Sequence, residues 1–140
     1  MLHITESVDI PASAQRLWNE IGGFDRVGDW HPWLERLETR AGERGSIRIA
    51  DGKDGSRQIE RLTNLDPQRH SYEYTIQRSS MPVCQYRGQF RVEPAGPAGS
   101  RVIWSARFEL TDAGDGRTIE AVRHFLHAGM ESLRARYGAA

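Results

Sequence analysis

Few side chains in this sequence could do chemistry, and most of them fall between positions 31 and 86. Glu60 and Arg61 are neighbours in an extended stretch, so one should face inward and the other outward. If Leu62 faces a core, Glu60 does too. A carboxylate inside an apolar interior is costly unless paired, which would imply a function; a bulge in the strand would reverse the assignment. Tyr74 and Tyr86 could offer hydroxyls as donors or weak acids, or could be core rings whose O–H meets a backbone carbonyl. His31, between Trp30 and Pro32, could act as a general base at neutral pH, or be an exposed loop residue. The candidate acid–base set is therefore Glu60, Tyr86 and His31.

Other reactive residues have simpler readings. Cys84 has no histidine placed beside it by sequence and reads as a small buried thiol rather than a nucleophile. Glu120, His124 and His127 share one helical face, but that face should be open to water, and pairing four residues apart explains them equally well. No metal site is expected, and no cofactor: the sequence has no phosphate loop, dinucleotide fingerprint, nucleophile elbow or metalloprotease helix.

The elements that must position these residues follow from periodicity and turn chemistry. Residues 2–10 partly alternate and read as a first strand closed by Pro11, with Glu6 interrupting the inward face. Ser13 stands at an N-cap position before Ala14, Leu17, Trp18 and Ile21, and Gly22–Gly23 ends that helix. A second short helix is expected within 24–33. Strands are then expected at 34–41, 46–50, 57–65, 70–79, 83–93 and 101–110. The segment Asp51-Gly52-Lys53-Asp54-Gly55 is a hairpin signal. Six strands on short turns make an antiparallel meander. On 83–93, Cys84, Tyr86, Gly88, Phe90 and Val92 should share the apolar face. A long helix over 117–137 carries Ile119, Val122, Phe125, Leu126, Gly129, Met130, Leu133 and Tyr137 on one arc. Gly129 costs helix stability at mid-helix; either it permits close packing or it leaves room for a ligand.

The totals narrow the function classes. The 140 residues suit one domain. Lys+Arg and Asp+Glu both number 19, which gives no basic excess to drive nucleic-acid binding. The lone cysteine rules out an internal disulfide and suits a reducing compartment. The first residues read as no signal peptide, and no run approaches a membrane span, so a cytoplasmic location is expected. The oligomeric state is left open.

The order strand, two helices, six strands, long helix resembles the helix-grip (SRPBCC) superfamily of START-related and birch-pollen-allergen-like proteins. Within it, the chain resembles the polyketide cyclase/dehydrase and lipid-transport group. The resemblance rests on Pro11-Ala12-Ser13-Ala14 before Leu17-Trp18; on Phe24, Val27 and Trp30-His31-Pro32; on Glu60-Arg61-Leu62 with Leu65-Asp66; on Tyr72 and Tyr74; on Met81-Pro82-Val83 with Tyr86; on Val102, Trp104 and Phe108; and on the last helix. It implies an α+β domain in which a curved antiparallel sheet of about seven strands wraps the long helix around an elongated cavity. By that resemblance Tyr74, Ile76, Tyr86, Phe90, Trp104, Phe108, Phe125 and Gly129 would line the cavity, with Trp30, His31 and Pro32 near its entrance. The expected function is binding of a small hydrophobic molecule, as carrier or sensor. The alternative is a cofactor-independent cyclase, aromatase or dehydratase using the acid–base residues of the same cavity. An interaction module would instead need a solvent-facing patch at Trp18, Trp30 or Trp33.

Overall fold

The computed structural model describes residues 1–138. Strand β1 (Leu2–Ile10) is followed by α1 (Ala14–Ile21) and α2 (Val27–Trp30), then β2 (Leu34–Arg40), β3 (Ile47–Gly52), β4 (Arg57–Asp66), β5 (Ser71–Ser79), β6 (Val83–Ala95), β7 (Gly99–Leu110) and α3 (Gly116–Tyr137). The Ser13 hydroxyl caps α1 by accepting from the Arg16 amide, and the Asp115 carboxylate caps α3 from the Arg117 amide. The second helix is shorter than the expected segment, a single turn that ends before Pro32.

The strands form one seven-stranded antiparallel sheet in the order β1-β7-β6-β5-β4-β3-β2. This is the helix-grip architecture. β2 to β7 are a meander, and β1 closes against β7. α1 and α2 then carry the chain across the concave face to the far edge. α3 lies over β1 and β7 and touches α2. Its buried face is Thr118, Val122, Leu126, Gly129, Met130 and Leu133. Glu6, the residue that breaks the β1 pattern, turns toward this helix, and its carboxylate lies 2.9 Å from His127 Nδ1. α3 packs directly on the β1–β7 side and makes no comparable contact with β3 or β4, which leaves space beneath it on that side of the concave face.

Cys84 departs from the sequence expectation, and Gly129 takes the packing alternative of its two. Cys84 is exposed, not buried. A bulge between Cys84 and Arg87, with Gln85 at φ +50°, breaks the alternation one residue before Tyr86. Tyr86, Gly88, Phe90 and Val92 keep the inward face. Gly129 has no open space beside it: a Cβ there would sit 2.9 Å from both the Trp104 and Trp30 rings. This glycine serves close packing.

Candidate functional site

The site begins with a hairpin. β3 and β4 pair so that Arg48 lies opposite Glu60, symmetric about Asp54 in the turn. Both point into the concave side, and Arg61 points out. Arg48 Nε donates to Glu60 Oε1 at 2.6 Å. Arg48 Nη1 donates to the Phe24 carbonyl at 2.8 Å and to the Tyr72 hydroxyl at 3.1 Å. The guanidinium carbon lies 4.2 Å from the Phe24 ring centroid and 4.6 Å from that of Tyr74. Arg48 is 1% exposed and Glu60 7%. Burial by itself would lower the Arg48 pKa, but Tyr72 and Glu60 outweigh it and hold the guanidinium charged.

Glu60 is thus the inward member of the Glu60–Arg61 pair, and Arg48 is its partner. Sequence patterning hides Arg48, because Ile47 and Ile49 flank it and alternation would turn the isoleucines inward. The recoverable signal was the turn: centring the hairpin on Asp54 sets position 48 against position 60.

Above this pair lies a cavity of about 360 Å³. Val27, Pro32, Trp33 and Leu34 form one wall, Ala121 and Phe125 of α3 another, and Trp104 the inner end. Arg48, Ala50, Gln58 and Glu60 form the floor. Lys53, Asp54, Ser56, Ser80 and Met81 surround the mouth. The volume falls at the low end of ligand pockets, about 300–1,000 Å³. Left dry, it would cost about 9 kcal/mol at roughly 24 cal/mol per Å³, comparable with the whole stability of a domain. The space is thus one for water or a ligand.

Of the positions expected to line the cavity, Pro32, Trp104 and Phe125 do so. Trp30, Tyr74, Tyr86, Phe90 and Phe108 are instead packed core. Ile76 and Gly129 also lie off the cavity wall: Ile76 is partly buried against the core, and Gly129 contacts the Trp30 and Trp104 rings. The stacked and edge-on rings of Tyr72, Tyr74, Phe90, Trp30 and Trp104 fill the inner part of the cup. Gly88 makes this filling possible. Its Cβ, if present, would be 2.1 Å from Tyr74 Cζ, so the Tyr74 ring lies directly over bare backbone. The open space is displaced toward β3 and β4.

The remaining acid–base candidates are not available to that space. Tyr74 accepts a hydrogen bond from Trp104 Nε1 at 3.0 Å. Burial raises the pKa of both Tyr74 and Tyr86, and neither lines the cavity. His31 is buried, with Nε2 2.7 Å from the Phe125 carbonyl and Nδ1 accepting from the Trp33 amide at 3.1 Å. That pattern fixes a neutral ring protonated at Nε2. Burial pulls its pKa down to about 4 against a smaller upward pull from the Phe125 carbonyl. The ring stacks on Phe125 at 4.0 Å and supports that wall. Pro32 holds the exit from α2 extended. Trp30 Nε1 is the buried polar side-chain atom without a partner among the described residues.

Of the three tryptophans that could make a surface patch, Trp30 is buried and Trp18 stacks on His70, leaving Trp33 exposed at the cavity. Among the described residues, no group of three or more His, Cys, Asp or Glu side chains is placed to hold a metal ion. No helix of the described residues is long and apolar enough to cross a membrane.

The chain is similar to XoxI from Bacillus cereus, at 28% identity and a TM-score of 0.90, covering 98% of this chain and 96% of that one. It shares its fold with the Zhui aromatase/cyclase from a Streptomyces species, at 17% identity, TM-score 0.81 and 99% coverage of both chains. A START superfamily protein from Mycobacterium smegmatis is similar at 16% identity, TM-score 0.77 and 96% coverage of both. No curated protein sequence matches significantly. The profile described as polyketide cyclase/dehydrase and lipid transport matches residues 1–138, and with that span matched the chain belongs to this family.

Proposed function

We propose that this protein binds a small hydrophobic molecule in the cavity between β3–β4 and α3, as a carrier or sensor. The observation that carries the reading is the cavity itself. Its walls are Val27, Pro32, Trp33, Leu34, Trp104 and Phe125, which leave a mostly apolar space of about 360 Å³ reached through a mouth. The walls favour an apolar body with aromatic surface, since Trp33, Trp104 and Phe125 all line the space. The test is ligand-induced stabilisation. A panel of lipids, aromatic compounds and polyketide-like molecules is screened by thermal denaturation, with native mass spectrometry to identify any co-purifying molecule. At least one class should raise the Tm in a saturable way. If none does, the binding reading fails.

A second reading, cofactor-independent cyclase or dehydratase chemistry, is favoured by one observation: Glu60 is a carboxylate on the cavity floor. With Tyr86 enclosed in the core and both His31 nitrogens engaged, Glu60 would have to be the sole proton acceptor or donor. Turnover of a cavity ligand by the native protein and not by Glu60→Gln would support it.

A further inference from the structure

Resting on the binding reading above, we propose that the cavity selects uncharged ligands bearing a hydroxyl, enol or amide group and discriminates against carboxylates, because its polar end is the charge-compensated pair Arg48–Glu60. Arg48 has used three of its five N–H donors internally. Nε goes to Glu60 Oε1, and Nη1 goes to the Phe24 carbonyl and the Tyr72 hydroxyl. Among the described residues, Arg48 Nη2 and Glu60 Oε2 have no hydrogen-bond partner, yet neither is sealed from solvent as Trp30 Nε1 is. Both residues line the cavity. The floor thus offers the Nη2 amino group, with its two N–H donors, beside one free carboxylate oxygen.

A hydroxyl complements both at once: it donates to Oε2 and accepts from Nη2. A ligand carboxylate could accept from Nη2, but it would set a second anion against Glu60 in a largely dry site, where like charges repel strongly. The attraction it would need is already taken, because the Arg48 charge is matched by Glu60 and covered by the Phe24 and Tyr74 rings. An ammonium meets the reverse problem at Arg48. The rim does not change this balance, since it adds one cation and one anion, Lys53 and Asp54.

The test measures binding of three probes of one shape by equilibrium dialysis at pH 7: 2-methylnaphthalene, 2-naphthol and 2-naphthoate. The expected order puts 2-naphthol at least about ten-fold tighter than 2-naphthoate, a gap of about 1.4 kcal/mol. 2-Naphthoate binding as tightly as 2-naphthol, or more tightly, overturns the inference and leaves the cavity reading standing. Failure of all three to bind overturns the cavity reading and the inference with it. Glu60→Gln removes the opposing anion and should shift the ratio toward 2-naphthoate by at least about ten-fold. The double variant Arg48→Met/Glu60→Leu should lose the preference for 2-naphthol over 2-methylnaphthalene. If a variant does not fold, the native probe order decides alone.

Discussion

Arg48 and Glu60 face each other across the β3–β4 ladder as a buried ion pair, Nε to Oε1 at 2.6 Å, on the floor of the cavity. Removing one partner strands the other's charge in the interior. Arg48→Met alone or Glu60→Leu alone should cost about 3–5 kcal/mol. The double variant should cost clearly less than the sum of the two, because no charge is left unpaired. Urea denaturation of the four proteins gives the coupling. Additive losses would show that the pair does not act as a unit.

His31 predicts a pH dependence of stability. Its pKa is about 4 in the fold and about 6.5 unfolded, so between those values the unfolded chain binds the proton and the native ring does not. Its contribution is present above pH 6.5 and is lost as pH falls toward 4. The full span is worth about 3 kcal/mol. His31→Gln should show a correspondingly shallower fall in urea stability between pH 7 and pH 4.5. Parallel curves for the two proteins would refute the assignment.

Gly129 and Gly88 are fixed by aromatic rings. Gly129→Ala should gain about 1 kcal/mol of helix propensity. It should lose about 1–3 kcal/mol by pressing a methyl against Trp30 and Trp104 at 2.9 Å. A lower Tm is expected. Gly88→Ala should be worse, since Tyr74 must leave its place over the strand. A raised Tm for either would contradict this packing.

Ala50 is a buried floor residue of the cavity. Ala50→Leu should fill part of the space, raise the stability of the unliganded protein by about 1 kcal/mol and weaken ligand-induced stabilisation. Thermal shifts with and without a bound probe measure both effects. An unchanged ligand shift would place binding elsewhere.

Cys84 is exposed at the β6 bulge, away from the cavity. A thiol reagent should modify it in the native protein, and the labelled protein should keep its fold and its probe affinity. Protection until unfolding would return this residue to the core.

The sequence alone carried the element order, because strands of period two, capped helices and turn residues are local signals. Ser13 before α1, Asp51 to Gly55 between β3 and β4, and the apolar arc of α3 each needed only a few neighbouring residues to be read. The spacing of Glu60 from Leu62 made an inward carboxylate one of two alternatives, because a bulge in the strand could have turned Arg61 inward instead. The tertiary structure decided what each inward residue meets. It placed Arg48 against Glu60, against the apolar alternation of its own strand, because the buried charge needed a partner. It turned Cys84 outward at a bulge that no local pattern announces. It filled the middle of the cup with Tyr72, Tyr74, Phe90 and Trp104 and left the opening between β3–β4 and α3, where the helix does not pack directly on the strands. A cavity is volume that packing leaves unfilled, so its position depends on every ring around it and is encoded at no single residue.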